Sequence, residues 1–325
     1  MRHNGAFALL LFCLCACAPV LLPRGIESVT SQMTINSLVM PDGYVLPLRS
    51  WEPSDSPRGV VIGLHGFNDY GNAFAGVGNY LATAGFVTYA YDQRGFGQTA
   101  SVGFWSGAEA MADDLTSAIS LIRERHPGLP VHILGESMGG AVSVLAASRS
   151  PQALADSFVL SAPALWGGRA MSVFEHGALW FFAHTMPWLT LSGSSLNRIA
   201  SDNVEMLRAL GRDPLVIKET RVDAVNGVVD LMGKAQEAVE HVLLPTLVLY
   251  GAKDEIIPSH AVREGVRRLP DLGHSQKLAY YLGGYHMLTR DLQSELVLKD
   301  VVFWLLDHKA GLPSGADDKA IDFID

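Results

Sequence analysis

The body of this chain has no cysteine. All three, Cys13, Cys15 and Cys17, fall within the first seventeen of 325 residues. That excludes a disulfide framework, a thiolate metal site and a thiol nucleophile from everything that follows. Clustered positive charge is equally scarce. With 24 Lys and Arg against 33 Asp and Glu, the formal net charge is −9, and no basic run offers the footprint that a phosphate backbone requires. No nucleic-acid partner is expected. Internal repeats and long low-complexity blocks are also missing, which removes solenoids and arrays. What is present is 49% hydrophobic residues, enough for a full-sized core carrying one insertion.

Arg2 and His3 open the chain, an apolar run from Ala6 to Phe12 follows, and small residues come next. This is the layout of a secretory signal. Leu14-Cys15-Ala16-Cys17 resembles the bacterial lipoprotein signal, in which a leucine and a small residue precede the cysteine that receives lipid. Residues 1–16 are therefore expected to be removed, Cys17 to be lipidated, and 17–32 to tether an exported protein to a membrane face of the cell envelope. The competing readings are a plain cleaved signal, or an uncleaved anchor from Ala6 to Leu22, which is near the short limit for a bilayer and is interrupted by Pro19.

From Met33 onward, short apolar runs alternate with amphipathic stretches, the rhythm of an α/β sheet. Met33–Met40 and Tyr44–Trp51 flank Pro41-Asp42-Gly43 and predict an opening hairpin. Buried strands are expected at Gly59–Leu64, Phe86–Tyr91, Val131–Leu134, Ser157–Leu160, Thr246–Tyr250 and Gln276–Tyr281, because near-continuous apolar runs suit strands covered on both faces. Helices are expected at Ala108–Arg125, Met138–Ser148, Ser259–Arg268 and Leu292–Asp307. The alternation implies a doubly wound, mostly parallel sheet with helices on both faces. It breaks between 164 and 240, a stretch too long for a loop in a compact core. That stretch predicts a helical cap inserted between core segments 33–163 and 241–308. Residues 309–325 are polar and acidic, and predict a mobile tail.

Gly135-Glu136-Ser137-Met138-Gly139 is the strongest chemical signal. A Gly-x-Ser-x-Gly match alone is weak evidence. Here, however, a strand (Val131–Leu134) runs into it and a helix (Met138 onward) leaves it, the setting a nucleophile elbow needs. The glycines remove Cβ atoms that would collide with neighbouring main chain, and the helix N-terminus favours developing negative charge. A serine hydroxyl needs a general base, and in this arrangement the order is Ser, acid, His. His286, on the loop after the last strand, fits. His274 precedes that strand, His308 ends the last helix and His260 follows the wrong strand. The acid belongs on the loop after the penultimate strand, where Asp254 sits. Glu255 is its nearest rival, ahead of Asp223 and Asp230 in the cap. Oxyanion donors are expected from the backbone N–H of Met138 and, after His65-Gly66, of Phe67. His65 then shapes its loop and is not a base.

Taken together, these segments resemble the monoacylglycerol lipase and lysophospholipase family of α/β-hydrolases over most of Met33–Asp307. The resemblance rests on His65-Gly66-Phe67-Asn68-Asp69-Tyr70, Asp92-Gln93-Arg94-Gly95-Phe96-Gly97-Gln98, Gly135-Glu136-Ser137-Met138-Gly139-Gly140, Gly251-Ala252-Lys253-Asp254 and Tyr285-His286-Met287. It implies Ser137, Asp254 and His286 as triad, Phe67 and Met138 as oxyanion donors, and no metal or organic cofactor. Asp92 and Arg94 look like a structural turn, and Gln98 departs from the small hydroxyl residue often found there. Family caps form an apolar acyl-chain tunnel, and Trp166, Phe174, Trp180, Phe181 and Trp188 suit that role. Plain cap core or a membrane-facing patch are the alternatives. The expected reaction is cleavage of single-chain lipid esters, monoacylglycerol or lysophospholipid, through an acyl-serine. The rivals are a short-chain esterase, a peptidase or an acyltransferase on the same triad, and a non-catalytic binding protein on the same scaffold.

Overall fold

The computed structural model describes residues 18–149, 155–166, 171–193 and 198–324. The signal segment 1–16 and Cys17 lie outside them. In chain order the elements are β1 (Gln32–Met33), β2 (Ser37–Val39), β3 (Val45–Trp51), β4 (Gly59–Leu64), α1 (Ala75–Thr83), β5 (Phe86–Tyr91), α2 (Ala108–Arg125), β6 (Val131–Glu136), α3 (Met138–Arg149) and β7 (Ser157–Ser161). The insertion follows with α4 (Val173–Thr185), β8 (Thr190–Ser192), α5 (Val204–Arg212), β9 (Glu219–Arg221) and α6 (Val222–Ala238). The chain then returns through β10 (Thr246–Gly251), α7 (Ser259–Arg267), β11 (Gln276–Tyr281), α8 (Ser294–Leu306) and α9 (Ala316–Ile324).

Nine strands form one sheet in the order β1-β2-β3-β5-β4-β6-β7-β10-β11. The pairs from β5 to β11 are parallel, and β1–β3 join antiparallel at one edge. Every residue of β4, β5, β6, β7 and β10 is buried, because helices cover both faces. Side chains alternate between two core layers. Val60, Ile62 and Leu64 pack with α2, α3 and α6, while Val61 packs with Val77 and Leu81 of α1 and Val301 and Trp304 of α8. This is the expected mostly parallel α/β architecture.

The insertion departs from a purely helical cap. Its strands β8 and β9 pair antiparallel, with Thr190 opposite Arg221. The tail forms α9, with Ala316, Ala320 and Phe323 buried on one face. Phe323 stacks on Tyr280 at 4.5 Å between ring centroids, and the Arg263 guanidinium lies 4.7 Å from the Phe323 ring. The tether segment is also docked at its end. Val20 N–H donates to Asp223 Oδ2 (3.1 Å) and Leu22 N–H to Trp105 O (2.9 Å).

Two stability predictions follow from burial. Phe323→Ala should lower the unfolding free energy by about 2–4 kcal/mol, as loss of a buried ring does, and urea denaturation would measure it. His132 is buried at the start of β6, with Nδ1 on Ser157 Oγ (2.8 Å), and burial pushes its pKa down to about 4. The unfolded chain therefore binds more protons between pH 6.5 and 4. The stability contributed by neutral His132 is complete above about pH 6.5 and is lost as pH falls through that window, by about 3 kcal/mol. His132→Gln should flatten the fall in urea midpoint between pH 7 and 4.5, and an unchanged slope would refute the assignment.

Candidate active site

Ser137 sits between the last residue of β6 and the first of α3, with φ at 53°. A non-glycine residue pays roughly 1–3 kcal/mol for such a backbone, which persists only where its surroundings fix it. Here Ser137 N–H donates to Ser161 O (2.9 Å), and Ser137 O accepts from Ala141 N–H (3.2 Å) and Ala164 N–H (3.0 Å). The flanking glycines are required by contact. A Cβ on Gly139 would lie 2.2 Å from Leu64 O, and one on Gly135 would lie 2.7 Å from Gly139 O.

Because β6, β10 and β11 run parallel, the loops leaving them share one edge of the sheet, and that edge gathers the candidate acid and base. Asp254 follows β10 and His286 follows β11. Asp254 Oδ2 meets His286 Nδ1 at 2.9 Å, with the carboxylate side chain fully buried. The other oxygen, Oδ1, accepts the N–H groups of Ile256 (2.8 Å) and Ile257 (3.0 Å), so the carboxylate is fixed before it reaches the ring. The two loops are clamped by Lys253 N–H on Gly284 O at 2.9 Å. The rivals are engaged elsewhere. Glu255 accepts Ile199 N–H, Asp223 binds Arg221 and Val20 N–H, and Asp230 pairs with Lys234. His274 is exposed beside Asp271, and His308 Nδ1 lies on Trp304 O.

The loop after β4 supplies the remaining wall. A Cβ on Gly66 would lie 3.5 Å from Ser137 Cβ, which places Phe67 next to the nucleophile. Met138 opens α3, where an N–H has no partner inside the helix. Neither it nor Phe67 N–H donates to another described group. His65 is fully buried. Its Nε2 accepts Gln93 N–H (3.0 Å), so Nδ1 carries the proton toward Gly66 O (2.8 Å), and burial holds its pKa below the ordinary value. It shapes the loop as a neutral ring. The Phe67 ring packs edge-on against Phe96 and Trp105.

Asp92 and Arg94 brace this edge. Asp92 Oδ1 takes Arg49 (2.6 Å) and Gly71 N–H (2.9 Å), and its Oδ2 takes Gln98 N–H (2.8 Å). Arg94 is buried between Asp42 (2.8 Å) and Asp114 (2.5 Å). A second polar cluster lies behind the elbow and escaped the sequence reading. Arg290 bridges Asp69 (2.8 Å) and Glu136, while Asp291 accepts Tyr285 N–H (2.8 Å) and Ser201 Oγ–H (2.6 Å). Burial raises the Asp291 pKa against the pull of those bonds. The only local hint was the proximity of Thr289-Arg290-Asp291 to His286.

The cap aromatics are mostly exposed. Trp166 packs partly buried against the core. Phe174 is 83% exposed, and Trp180, Phe181 and Trp188 are each more than half exposed. The reason is that α4 is apolar on most of its surface and buries only Ala183. Among the described residues no group of His, Cys, Asp or Glu converges as a metal site would.

Gly139→Ala should abolish folding or lower the melting temperature sharply, since its Cβ would press on the Leu64 carbonyl rather than on a movable side chain. A variant that melts within a few degrees of wild type would show that the elbow tolerates the approach.

Residues 55–293 match the profile of the Hydrolase_4 family, described as serine aminopeptidase, S33. Mouse monoglyceride lipase is 26% identical over 299 residues, covering 90% of this chain and 97% of the relative. The monoacylglycerol lipase of Mycolicibacterium smegmatis is 26% identical over 282 residues, covering 86% and 99%. The solved structure of a soluble variant of monoglyceride lipase from Saccharomyces cerevisiae, in complex with a substrate analog, superposes with a TM-score of 0.72 at 19% identity, covering 90% of this chain and all of that one. The chain belongs to the Hydrolase_4 family of α/β-hydrolases, and it is similar to monoacylglycerol lipases.

Proposed function

We propose that this chain is a serine carboxylic-ester hydrolase that cleaves single-chain lipid esters, with Ser137 as nucleophile, His286 as base and Asp254 as the group that orients it. The observation that carries this is the buried 2.9 Å contact of Asp254 with His286 Nδ1 on the sheet edge that holds the strained serine. The contact keeps the Nδ1 proton directed at the carboxylate, leaving Nε2 unprotonated to accept the Ser137 proton as Oγ attacks the ester carbonyl. The N–H groups of Phe67 and Met138 receive the oxyanion, each worth roughly 2.7–4 kcal/mol in the transition state. Collapse expels the alcohol, protonated by His286, and leaves an acyl-serine. Water, activated by the same histidine, then releases the acid.

The names of the relatives support monoacylglycerol-like lipids as substrate. The N-terminal segment supports an exported, lipid-anchored protein. Cys17 lies three residues before the docked Val20, and the exposed α4 aromatics offer an apolar surface to a membrane. No helix among the described residues is long and apolar enough to cross a membrane. Mass spectrometry of the mature N-terminus checks the anchor, and an intact Met1 would refute it.

Turnover of monoolein, lysophosphatidylcholine, short esters and an amide, by wild type and Ser137→Ala, tests the whole reading. Single-chain lipid esters should be preferred. Ser137→Ala should lose about 10⁶-fold in kcat, as removal of such a nucleophile does. Wild-type turnover in that variant would overturn the mechanism, and preference for the amide would overturn the substrate class.

A further inference from the structure

Three of the segments that carry the working groups are the oxyanion loop after β4, the elbow after β6 and the base loop after β11. No ladder of sheet hydrogen bonds joins them to one another. One side chain touches all three. Arg290 lies four residues beyond His286 on the base loop. Its Nη1 donates to Asp69, two residues beyond Phe67, at 2.8 Å, and its Nη2 donates to Glu136, the residue before Ser137. Thr289 Oγ1 adds a longer contact to Glu136 at 3.3 Å. The Arg290 side chain is 10% exposed, and those of Asp69 and Glu136 are 7% and 5% exposed.

Packing does not do this job instead. Asp69, Thr289 and Arg290 line a cavity of about 560 Å³ that also reaches Met206 and Leu210 of α5 and Leu298 of α8. Empty space on that side leaves the loops room to separate, so the planar fork of Arg290 is what fixes their spacing. We propose that Arg290 is a positioning residue for the reaction: through Glu136 and Asp69 it sets the placement of Ser137 and of the Phe67 N–H relative to His286, without touching the substrate. The proposal rests on the serine-hydrolase reading above. Its test is a ratio to wild-type turnover, so a failure of that reading, seen as full activity in Ser137→Ala, stays distinguishable from a failure of this one.

Arg290→Gln, Glu136→Gln and the double variant would be compared with wild type on a medium-chain nitrophenyl ester, together with the rate of fluorophosphonate labelling. Misplacement of reacting groups by about 1 Å costs roughly 100-fold. Arg290→Gln should therefore lose about that factor in kcat with KM within threefold, and labelling should slow in parallel. Glu136→Gln should lose about tenfold. The double variant should be no slower than Arg290→Gln, because Glu136 no longer has its partner and the Gln removes an uncompensated buried charge. A folded Arg290→Gln with kcat within threefold of wild type would overturn the proposal, as would losses that multiply in the double variant or that appear only in KM. Should Arg290→Gln fail to fold, Glu136→Gln decides alone, and an unchanged kcat there would overturn it.

Discussion

The register of β4 against β6 is the constraint from which the site follows. Leu64 stands opposite Gly135, so the end of β4 lies against the turn that β6 makes into α3. Gly139 can then pass within contact of the Leu64 carbonyl, and Ser137 is driven into a left-handed backbone that neither neighbour could relieve. The same register delivers His65, Gly66 and Phe67, which follow Leu64 directly, to the side of the serine. A slip of one residue would send Val60, Ile62 and Leu64 to the opposite core layer. Hydrophobic burial on two faces therefore brings nucleophile and oxyanion loop to the same edge of the sheet, and contacts beyond the strand ends fix their spacing.

Beyond the strand ends the physics changes, because apolar layers stop at the sheet edge. Buried ion pairs take over. Asp92 ties Arg49 of β3 to the turn at Gln98 and the backbone at Gly71, and Arg94 ties Asp42 of the opening hairpin to Asp114 of α2. Burial pushes Asp114 up to about 6 even against the pull of Arg94. At Asp42, Arg94 with the N–H groups of Tyr44 and Gly25 outweighs desolvation and brings it down to about 2. Two carboxylates on one guanidinium are thus shifted in opposite directions, the one that also accepts two backbone N–H groups being lowered. Such pairs add little net stability against apolar replacements, yet leaving one partner alone costs about 3–5 kcal/mol. That asymmetry suits segments where geometry matters more than energy.

The parts legible in the sequence are those whose signal is local. β4, β5, β11 and α2 have the bounds their apolar periodicity predicts, and the elbow declares itself through its glycines. β6, β7 and β10 run one or two residues further than expected, because Glu136, Ser161 and Gly251 extend the ladder without apolar side chains. α1 was missed since Gly76 and Gly78 read as loop. Gly78 is there because any Cβ would strike the Trp51 ring. The tail was misread because its acidic residues dominate, although Ala316, Ala320 and Phe323 have helical spacing. The Arg290 cluster had no local signal beyond its proximity to His286: its partners lie 154 and 221 residues away in sequence, and only the assembled sheet brings them together.

The cap illustrates the same limit from the other side. Its aromatics suggested that the insertion meets the site through side chains on α4, and those side chains face solvent instead. The meeting is made by a short strip of loop before α5. Ile199 N–H donates to Glu255 beside the acid, Met287 N–H donates to Ala200 O beside the base, and Ser201 reaches Asp291. Asn203 caps α5 with its side-chain oxygen while its amide nitrogen donates to Arg290 O. Five consecutive residues thus span both triad loops and then start a cap helix. Lifting the cap from the core would break bonds to the residues flanking Asp254 and His286, so the cap is tied to both triad loops through one strip of chain.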